Sequence, residues 1–191
     1  ISQHLAKLGY KVYVLTSIVD KKAYEDLSKI CNVIKLPRVL AHRMLTPIAY
    51  TTYAMHLRNK LNIQVVHGHC YTLRDDVTTV HFLGKAAAKQ YLKFGYYESA
   101  RSVSRWYQAE KLILRSSKHL IAVSKMVAKD LVELYDISRD KITVIYNGVN
   151  IHEFKPVTEK EKLKLRETYK LDANKVYVLF IGAETKGLNF L

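Results

Sequence analysis

The sequence predicts an α/β protein with a Rossmann-like parallel sheet and helices on both faces. Two observations lead to this prediction. Short runs rich in β-branched residues alternate with segments whose apolar residues have helical spacing, which is the pattern of parallel strands joined by crossover helices. The composition, 49% hydrophobic and 25% charged over 191 residues, is sufficient to bury a core, so disorder throughout the chain is excluded.

The elements of the first half follow from this alternation. A helix is predicted over residues 2–8 and ends at Gly9, because glycine adopts the positive φ common at helix C-termini. A strand over 11–15, a helix over 21–29 and a strand over 33–36 come next. A helix over 50–61 then leads into strands at 64–66 and 77–81, and Gly68 suits a turn after the first of these strands.

The second half continues the pattern. Two helices broken near Gly95 are predicted between residues 85 and 119, followed by a strand over 119–123. Ser124 is a candidate N-cap for a helix over 125–135. A strand over 141–146 ends at Asn147 and Gly148, which are expected to supply positive φ for a sharp turn. A connector with a charged helix over 159–169 and a new strand over 175–181 complete the chain.

Several functional classes are disfavoured by simple features of the chain. Neither Cys31 nor Cys70 lies in a C-x-x-C or C-x-x-H spacing, so neither a disulfide framework nor a zinc site is expected. No cofactor is predicted for the chain. No apolar run approaches the roughly 20 residues of a membrane-spanning helix. The first residues show no secretory signal and resemble the end of a helix, which favours a cytoplasmic location and predicts that the true N-terminus is missing.

The chain is strongly basic, with a formal net charge of +14. Such a charge attracts phosphates, nucleic acids and anionic lipids alike, or it simply keeps the surface solvated. Residues 85–119, the basic aromatic segment, interleave cations with aromatic side chains and contain only two acids, Glu98 and Glu110. This segment could bind an anionic membrane surface, or its aromatic residues could belong to the core under a lysine cover. No nucleic-acid motif accompanies it, so nucleic acid is not an expected partner.

The run HLIAVSKMVAKDLVELYDISRDKITVIYNGVNIHEFKP, residues 119–156, resembles the end of the N-terminal domain in glycosyltransferase family 4. The matching positions are Val123, Ser124, Ala128, Leu131, Asp140, Lys141, Ile142, Asn147, Gly148, Val149, Asn150, Phe154 and Pro156. The resemblance implies the GT-B fold of two Rossmann-like domains, here truncated at both ends. It divides the chain into an acceptor-side domain without its first strand (1–155), a connector with a charged helix (156–174), and the first strand and phosphate loop of the donor domain (175–191).

Two histidine segments agree with the same family. QVVHGHC looks like its V-V-H-x-H strand end and DDVTTVHF like its T-x-H segment. The resemblance puts His81 where an imidazole faces the donor sugar, which implies a catalytic role; a neutral imidazole can donate or accept a hydrogen bond to a hydroxyl. His67 and His69 lie two residues apart, on one face of a strand, and are candidate cleft or acceptor-binding residues with Asn147 and Gly148. Two histidines at this spacing could also ligate a metal, but the sequence places no third ligand beside them, and no metal site is expected.

The C-terminal run VYVLFIGAETKGLNFL is similar to the first strand, phosphate-facing loop and helix of the family's second domain. The resemblance implies that Gly182, Lys186 and Gly187 bind the donor diphosphate, where an ammonium suits a multivalent anion. The sequence departs from the family pattern at Ala183, where Arg, Ser or Asn is usual, and in a shortened interval between Gly182 and Lys186.

These features predict a glycosyltransferase that moves a sugar, with retention, from a nucleotide diphosphate sugar to a glycan or lipid-linked acceptor. The expected location is cytoplasmic and peripheral on the inner face of the membrane, and the fragment alone is expected to be inactive. Two alternatives remain open: a nucleotide-sugar epimerase or hydrolase of the same fold, and an inactive, truncated binding module.

Overall fold

A computed structural model describes residues 1–17, 19–37, 46–69 and 72–179. The chain divides into two units, residues 1–146 and 147–191. Helices of the first unit are α1 (Ser2–Lys7), α2 (Lys21–Ser28), α3 (Thr46–Leu61), α4 (Gly84–Lys93), α5 (Tyr97–Ser104), α6 (Tyr107–Ser116) and α7 (Lys125–Tyr135). Its strands are β1 (Tyr13–Thr16), β2 (Asn32–Lys35), β3 (His67–Gly68), β4 (Val77–Val80), β5 (His119–Ala122) and β6 (Ile142–Val144).

Every strand pair in the first unit is parallel, which confirms the predicted α/β class. The strands form two sheets, β1-β2 and β3-β4-β5-β6, where the sequence predicted one. Within the described ranges no strand pairs with both β1 and β3, so the two sheets are not joined by backbone hydrogen bonds. Tyr50 and Arg58 of α3 link the sheets instead. The Tyr50 hydroxyl donates to Ser17 Oγ at 2.8 Å, just after β1, and Arg58 Nη1 lies 2.9 Å from Asp76 Oδ2, just before β4.

The core lies where α7 packs against the central strands β4 and β5. Val80, Leu120, Ala122, Leu131 and Tyr135 are all fully buried there. The two strands pair along their whole length, so their backbone groups are satisfied while their side chains fill both faces of the sheet. α7 begins as predicted, because Ser124 Oγ accepts from the Val127 amide at 3.1 Å.

Two local predictions in the first unit are wrong. The basic aromatic segment forms three helices; the break at Gly95 is confirmed by its φ of +80°, but a second break follows at Arg105 and Trp106. No glycine or proline marks this second break. The strand predicted at 64–66 forms at His67–Gly68, with the Val66 carbonyl already accepting from two amides of the neighbouring chain segment.

The turn chemistry also differs from the prediction. Asn147 and Gly148 do not adopt positive φ, so they do not form the sharp turn expected of them. Among the described residues, positive φ values follow five helices: Gly9 at +87°, as predicted, Asn62 at +49°, Gly95 at +80°, Asp136 at +56° and Lys170 at +54°. Asp136 was not predicted as the residue that ends α7, although aspartate is one of the non-glycine residues that adopt this conformation more often than most.

The second unit contains α8 (Glu159–Thr168), which confirms the predicted charged helix. Thr158 and Glu161 form a capping box: the Glu161 amide donates to Thr158 Oγ1, and the Thr158 amide donates to Glu161 Oε2 at 2.8 Å. Residues 175–179 of the predicted strand 175–181 form no strand, and the remainder of that strand lies outside the described residues. No helix in the described ranges is long and apolar enough to span a membrane.

Candidate functional site

Three predicted histidines meet at one edge of the four-stranded sheet. His67 opens β3, His69 follows β3 and His81 follows β4, and the two strands are parallel, with His67 paired to Val77. The His67 and His69 rings are stacked with centroids 4.9 Å apart, and the His69 and His81 rings are stacked at 5.5 Å. The carboxyl ends of parallel strands are where such sheets bind ligands, so the stack lies where a site is expected.

Hydrogen bonds fix the order of the stack. His67 is half-buried, and its Nε2 lies 2.8 Å from Thr79 Oγ1 on β4. His69 Nδ1 lies 3.3 Å from His81 Nε2, and both of these rings are exposed. The inner histidine is therefore bound to the sheet, while the outer pair is accessible to a ligand.

The surroundings of His67 and His69 favour the neutral form of both imidazoles. Burial lowers the pKa of His67, and the nearby Asp75 carboxylate offsets part of that effect. Burial also lowers the pKa of His69, and the neighbouring imidazoles of His67 and His81 lower it further. A neutral imidazole has one donor and one acceptor nitrogen, so these rings suit the hydroxyl groups of a sugar better than they suit a phosphate.

A buried carboxylate beneath the stack was not predicted. Asp75 is 1% exposed, and its Oδ2 accepts from Thr72 Oγ1 at 2.6 Å and from Thr78 Oγ1 at 3.0 Å. Its Oδ1 has no hydrogen-bond partner among the described residues. Burial raises the pKa of Asp75, and the two threonine hydroxyls act against that increase. The sequence signal was weak, since it consisted only of threonines three residues to either side.

The position of Asp75 also explains why residue 68, between His67 and His69, is a glycine. A Cβ at residue 68 would lie 1.8 Å from Asp75 Oδ2 and 2.6 Å from Thr72 Oγ1. Glycine is therefore required by the close approach of the backbone to the carboxylate rather than by a turn. The spacing of His67 and His69 thus depends on the Asp75 network.

Asp76 fixes the beginning of the same two strands. Its carboxylate accepts from the Val66 amide at 2.9 Å and pairs with Arg58 of α3 and with Lys118 before β5. Partial burial favours the protonated acid, but the hydrogen bonds from Lys118, Val66 and Arg58 outweigh it and lower the pKa of Asp76. One ionised carboxylate therefore joins three segments at the amino ends of β3 and β4.

The other five predicted site residues lie outside the described part of the first unit. Asn147 and Gly148 are exposed and begin the second unit. Gly182, Lys186 and Gly187 lie outside the described residues. In the described part of the chain, no group of three metal-ligating side chains is arranged to hold an ion.

A parallel α/β unit with hydrogen-bonding side chains at the carboxyl edge of its strands defines a ligand-binding protein of the Rossmann-like class. Within this class, the chain belongs to Glycosyltransferase Family 4, whose family model matches residues 1–153. Recognition of this family from the sequence is thereby confirmed.

Individual relatives agree with the family. The chain is 25% identical over 213 residues to an uncharacterized glycosyltransferase of Methanocaldococcus jannaschii, covering 100% of this chain and 52% of the relative. It is 26% identical over 168 residues to the O-antigen chain mannosyltransferase of Salmonella typhimurium, covering 84% of this chain and 40% of the relative. The chain thus spans about half the length of the curated relatives it matches.

A solved structure supports the fold. The crystal structure of a glycosyltransferase from Rickettsia africae ESF-5 matches with a TM-score of 0.54 and 22% identity, over 91% of this chain and 45% of that one. This likeness shows that the chain has the Rossmann-like architecture of the GT-B fold.

Proposed function

We propose that the protein containing this chain transfers a sugar from a nucleotide diphosphate sugar to a glycan or lipid-linked acceptor, with retention. The observation that supports the proposal most directly is the stack of His67, His69 and His81 at the carboxyl edge of the sheet, in a chain of Glycosyltransferase Family 4. The relative named as an O-antigen chain mannosyltransferase favours a glycan acceptor.

In this proposal His81 hydrogen-bonds to a hydroxyl of the donor sugar, and His67, His69, Asn147 and Gly148 form the cleft on the acceptor side. Exposure of the His69 and His81 rings is consistent with that role. Gly182, Lys186 and Gly187 bind the donor diphosphate from the following domain. Catalysis then consists of orienting the sugar and stabilising the departing diphosphate charge, without a resident cofactor.

The test uses the complete protein and a panel of nucleotide diphosphate sugars. We expect release of nucleoside diphosphate to fall at least about a hundredfold in His81→Ala, because a misoriented sugar loses most of the rate, and to fall also in Lys186→Ala. His119→Ala is the matched control: its Nε2 also bonds a threonine, Thr143, at 2.8 Å, but it lies at the beginning of β5. Unchanged turnover in both site variants contradicts the residue assignment.

We further propose that the basic aromatic segment binds peripherally to the inner face of an anionic membrane. Part of the segment is core, because the Tyr107 hydroxyl donates to the Leu134 carbonyl at 2.9 Å and its ring packs on Tyr135. Leu92, Tyr97 and Leu112 are more than half exposed. Six cations of the segment are also exposed, Lys89, Lys93, Arg101, Arg105, Arg115 and Lys118, of which Arg115 pairs with Asp136 and Lys118 with Asp76. Since Glu110 is used inside the fold, its charge does not offset them at the surface.

Vesicle sedimentation tests this membrane proposal. The complete protein should sediment with phosphatidylglycerol vesicles and not with phosphatidylcholine vesicles, because each exposed cation near an anionic surface contributes about 1 kcal/mol. Tyr97→Ser and Arg101→Gln should each weaken binding, whereas Leu163→Ser, at an apolar position on α8 that is also more than half exposed, should not. Equal binding to both vesicle types contradicts the proposal.

A further inference from the structure

The hydrogen bond between His69 and His81 shows which ring nitrogen of His81 is bound within the protein. Nε2 of His81 faces His69 Nδ1 at 3.3 Å, and the two rings lie only 17° from parallel. The described residues place no hydrogen-bond partner on Nδ1 of His81. A histidine with one nitrogen bound within the protein presents the other to a ligand, and the bound nitrogen determines which tautomer it presents.

We propose that His69 is a positioning residue for His81: by binding Nε2 of His81, it fixes the orientation of that ring and leaves Nδ1 to meet the sugar. This inference rests on the proposed role of His81. His69 is in turn held by the stack with His67, whose Nε2 is bound to Thr79 on β4. The orientation of the outer ring is therefore set by the sheet through two stacked imidazoles.

The proton between the two rings can lie on either side. If His69 Nδ1 donates, Nδ1 of His81 carries a proton and donates to a sugar oxygen; if His81 Nε2 donates, Nδ1 of His81 accepts from a sugar hydroxyl. One extra proton shared by the pair leaves both outward nitrogens protonated and removes the acceptor. Only a neutral pair can therefore offer Nδ1 of His81 either as a donor or as an acceptor.

The surroundings favour a neutral His69. Burial and the neighbouring imidazoles of His67 and His81 all disfavour a positive charge on it. Among the described residues, the Asp75 carboxylate acts on the neighbouring His67 and favours a positive charge there.

Histidine-labelled NMR of the complete protein without substrate tests the arrangement. We expect the ring nitrogens of His69 and His81 to report one shared hydrogen bond, and His81→Phe, which keeps a ring in the stack, to raise the pKa of His69 because a neighbouring imidazole is lost. His119→Phe should leave the pKa of His69 unchanged. If His81→Phe also leaves it unchanged, the inference is wrong whatever the protein catalyses.

Kinetics test the consequence for the proposed reaction. His69→Phe keeps an aromatic ring beside His67 but loses the hydrogen bond to His81, so kcat should fall about tenfold with a smaller change in KM. His69→Asn places an amide near the position of Nδ1 and should restore most of that loss. Equal losses in the two variants, or none in His69→Phe, overturn the inference; absence of turnover in the unmodified protein refutes the proposed function and leaves the NMR result to decide this one.

Discussion

At the scale of single residues, the site depends on a glycine that tolerates no side chain. The backbone of Gly68 lies against Asp75 and Thr72, so Gly68→Ala forces the β3 backbone or the carboxylate to move. We expect this substitution to lower the free energy of unfolding by about 3 kcal/mol, the upper part of the range for overpacking. Gly148→Ala is the control, because a Cβ there meets nothing within 4 Å. Equal urea midpoints for the two variants would show that the close approach is not real.

The adjacent acids Asp75 and Asp76 should affect stability in opposite directions as pH changes. The pKa of Asp76 is lowered in the folded state, so its stabilisation is present above the unfolded pKa of about 3.9 and is lost as pH falls through the lower folded pKa. The pKa of Asp75 is raised, so its contribution is present below about 3.9 and is lost as pH rises through the raised folded pKa.

Urea denaturation between pH 3 and pH 7 checks this contrast. Asp76→Asn should be destabilised by about 1–3 kcal/mol at pH 7, with the difference from the unmodified protein shrinking as pH falls. The free energy of unfolding of Asp75→Asn, relative to that of the unmodified protein, should increase as pH rises. Parallel pH dependence in the two variants is the outcome that would contradict the assigned carboxylate environments.

Residue identities in the site were only partly predictable. His67, His69 and His81 could be selected because their motifs resemble a family pattern and because strand periodicity puts neighbours on one face. Asp75 could not, since its burial depends on how the segment 72–75 folds beneath β3, and no local periodicity encodes that contact. The 3.3 Å contact between His69 and His81 likewise needs the register of β3 on β4.

At the scale of helices and strands, one carboxylate fixes the arrangement of the basic aromatic segment. Glu110 of α6 accepts from the Gly84 amide at the beginning of α4 and from the Tyr135 hydroxyl of α7. Burial raises the pKa of the Tyr135 hydroxyl, and Glu110 raises it further, so Tyr135 stays protonated and donates. This contact joins α6 to α4 and α7, and local sequence signals do not predict it.

Replacing Glu110 should therefore be costly. Glu110→Ala leaves the fully buried Tyr135 hydroxyl and the first amide of α4 without an acceptor, and we expect a loss of about 2–4 kcal/mol. Glu98→Ala on α5 is the matched control, since Glu98 is exposed. Thermal denaturation compares the two, and equal melting temperatures would show that the Glu110 contact does not stabilise the helices.

At the scale of the whole molecule, the alternation of helices and strands was enough to predict a parallel α/β fold. The division into two sheets was not predictable, because pairing partners depend on which segments meet in space rather than on the character of each strand. The domain boundaries at 155 and 174 and the absence of a first strand stay predictions. The assignment of residues 175–191 to the donor domain also stays a prediction, since only 175–179 of them are described.

The central claim is that the whole protein transfers sugars and that the histidine stack helps to bind them. The most direct measurement is mass spectrometry of products after the complete protein is incubated with nucleotide diphosphate sugars, with and without glycan or lipid-linked acceptors. The account predicts a glycosylated acceptor, formed together with nucleoside diphosphate and lost in His81→Ala but not in His119→Ala. An epimerised or merely hydrolysed donor, or full product formation by His81→Ala, would contradict it.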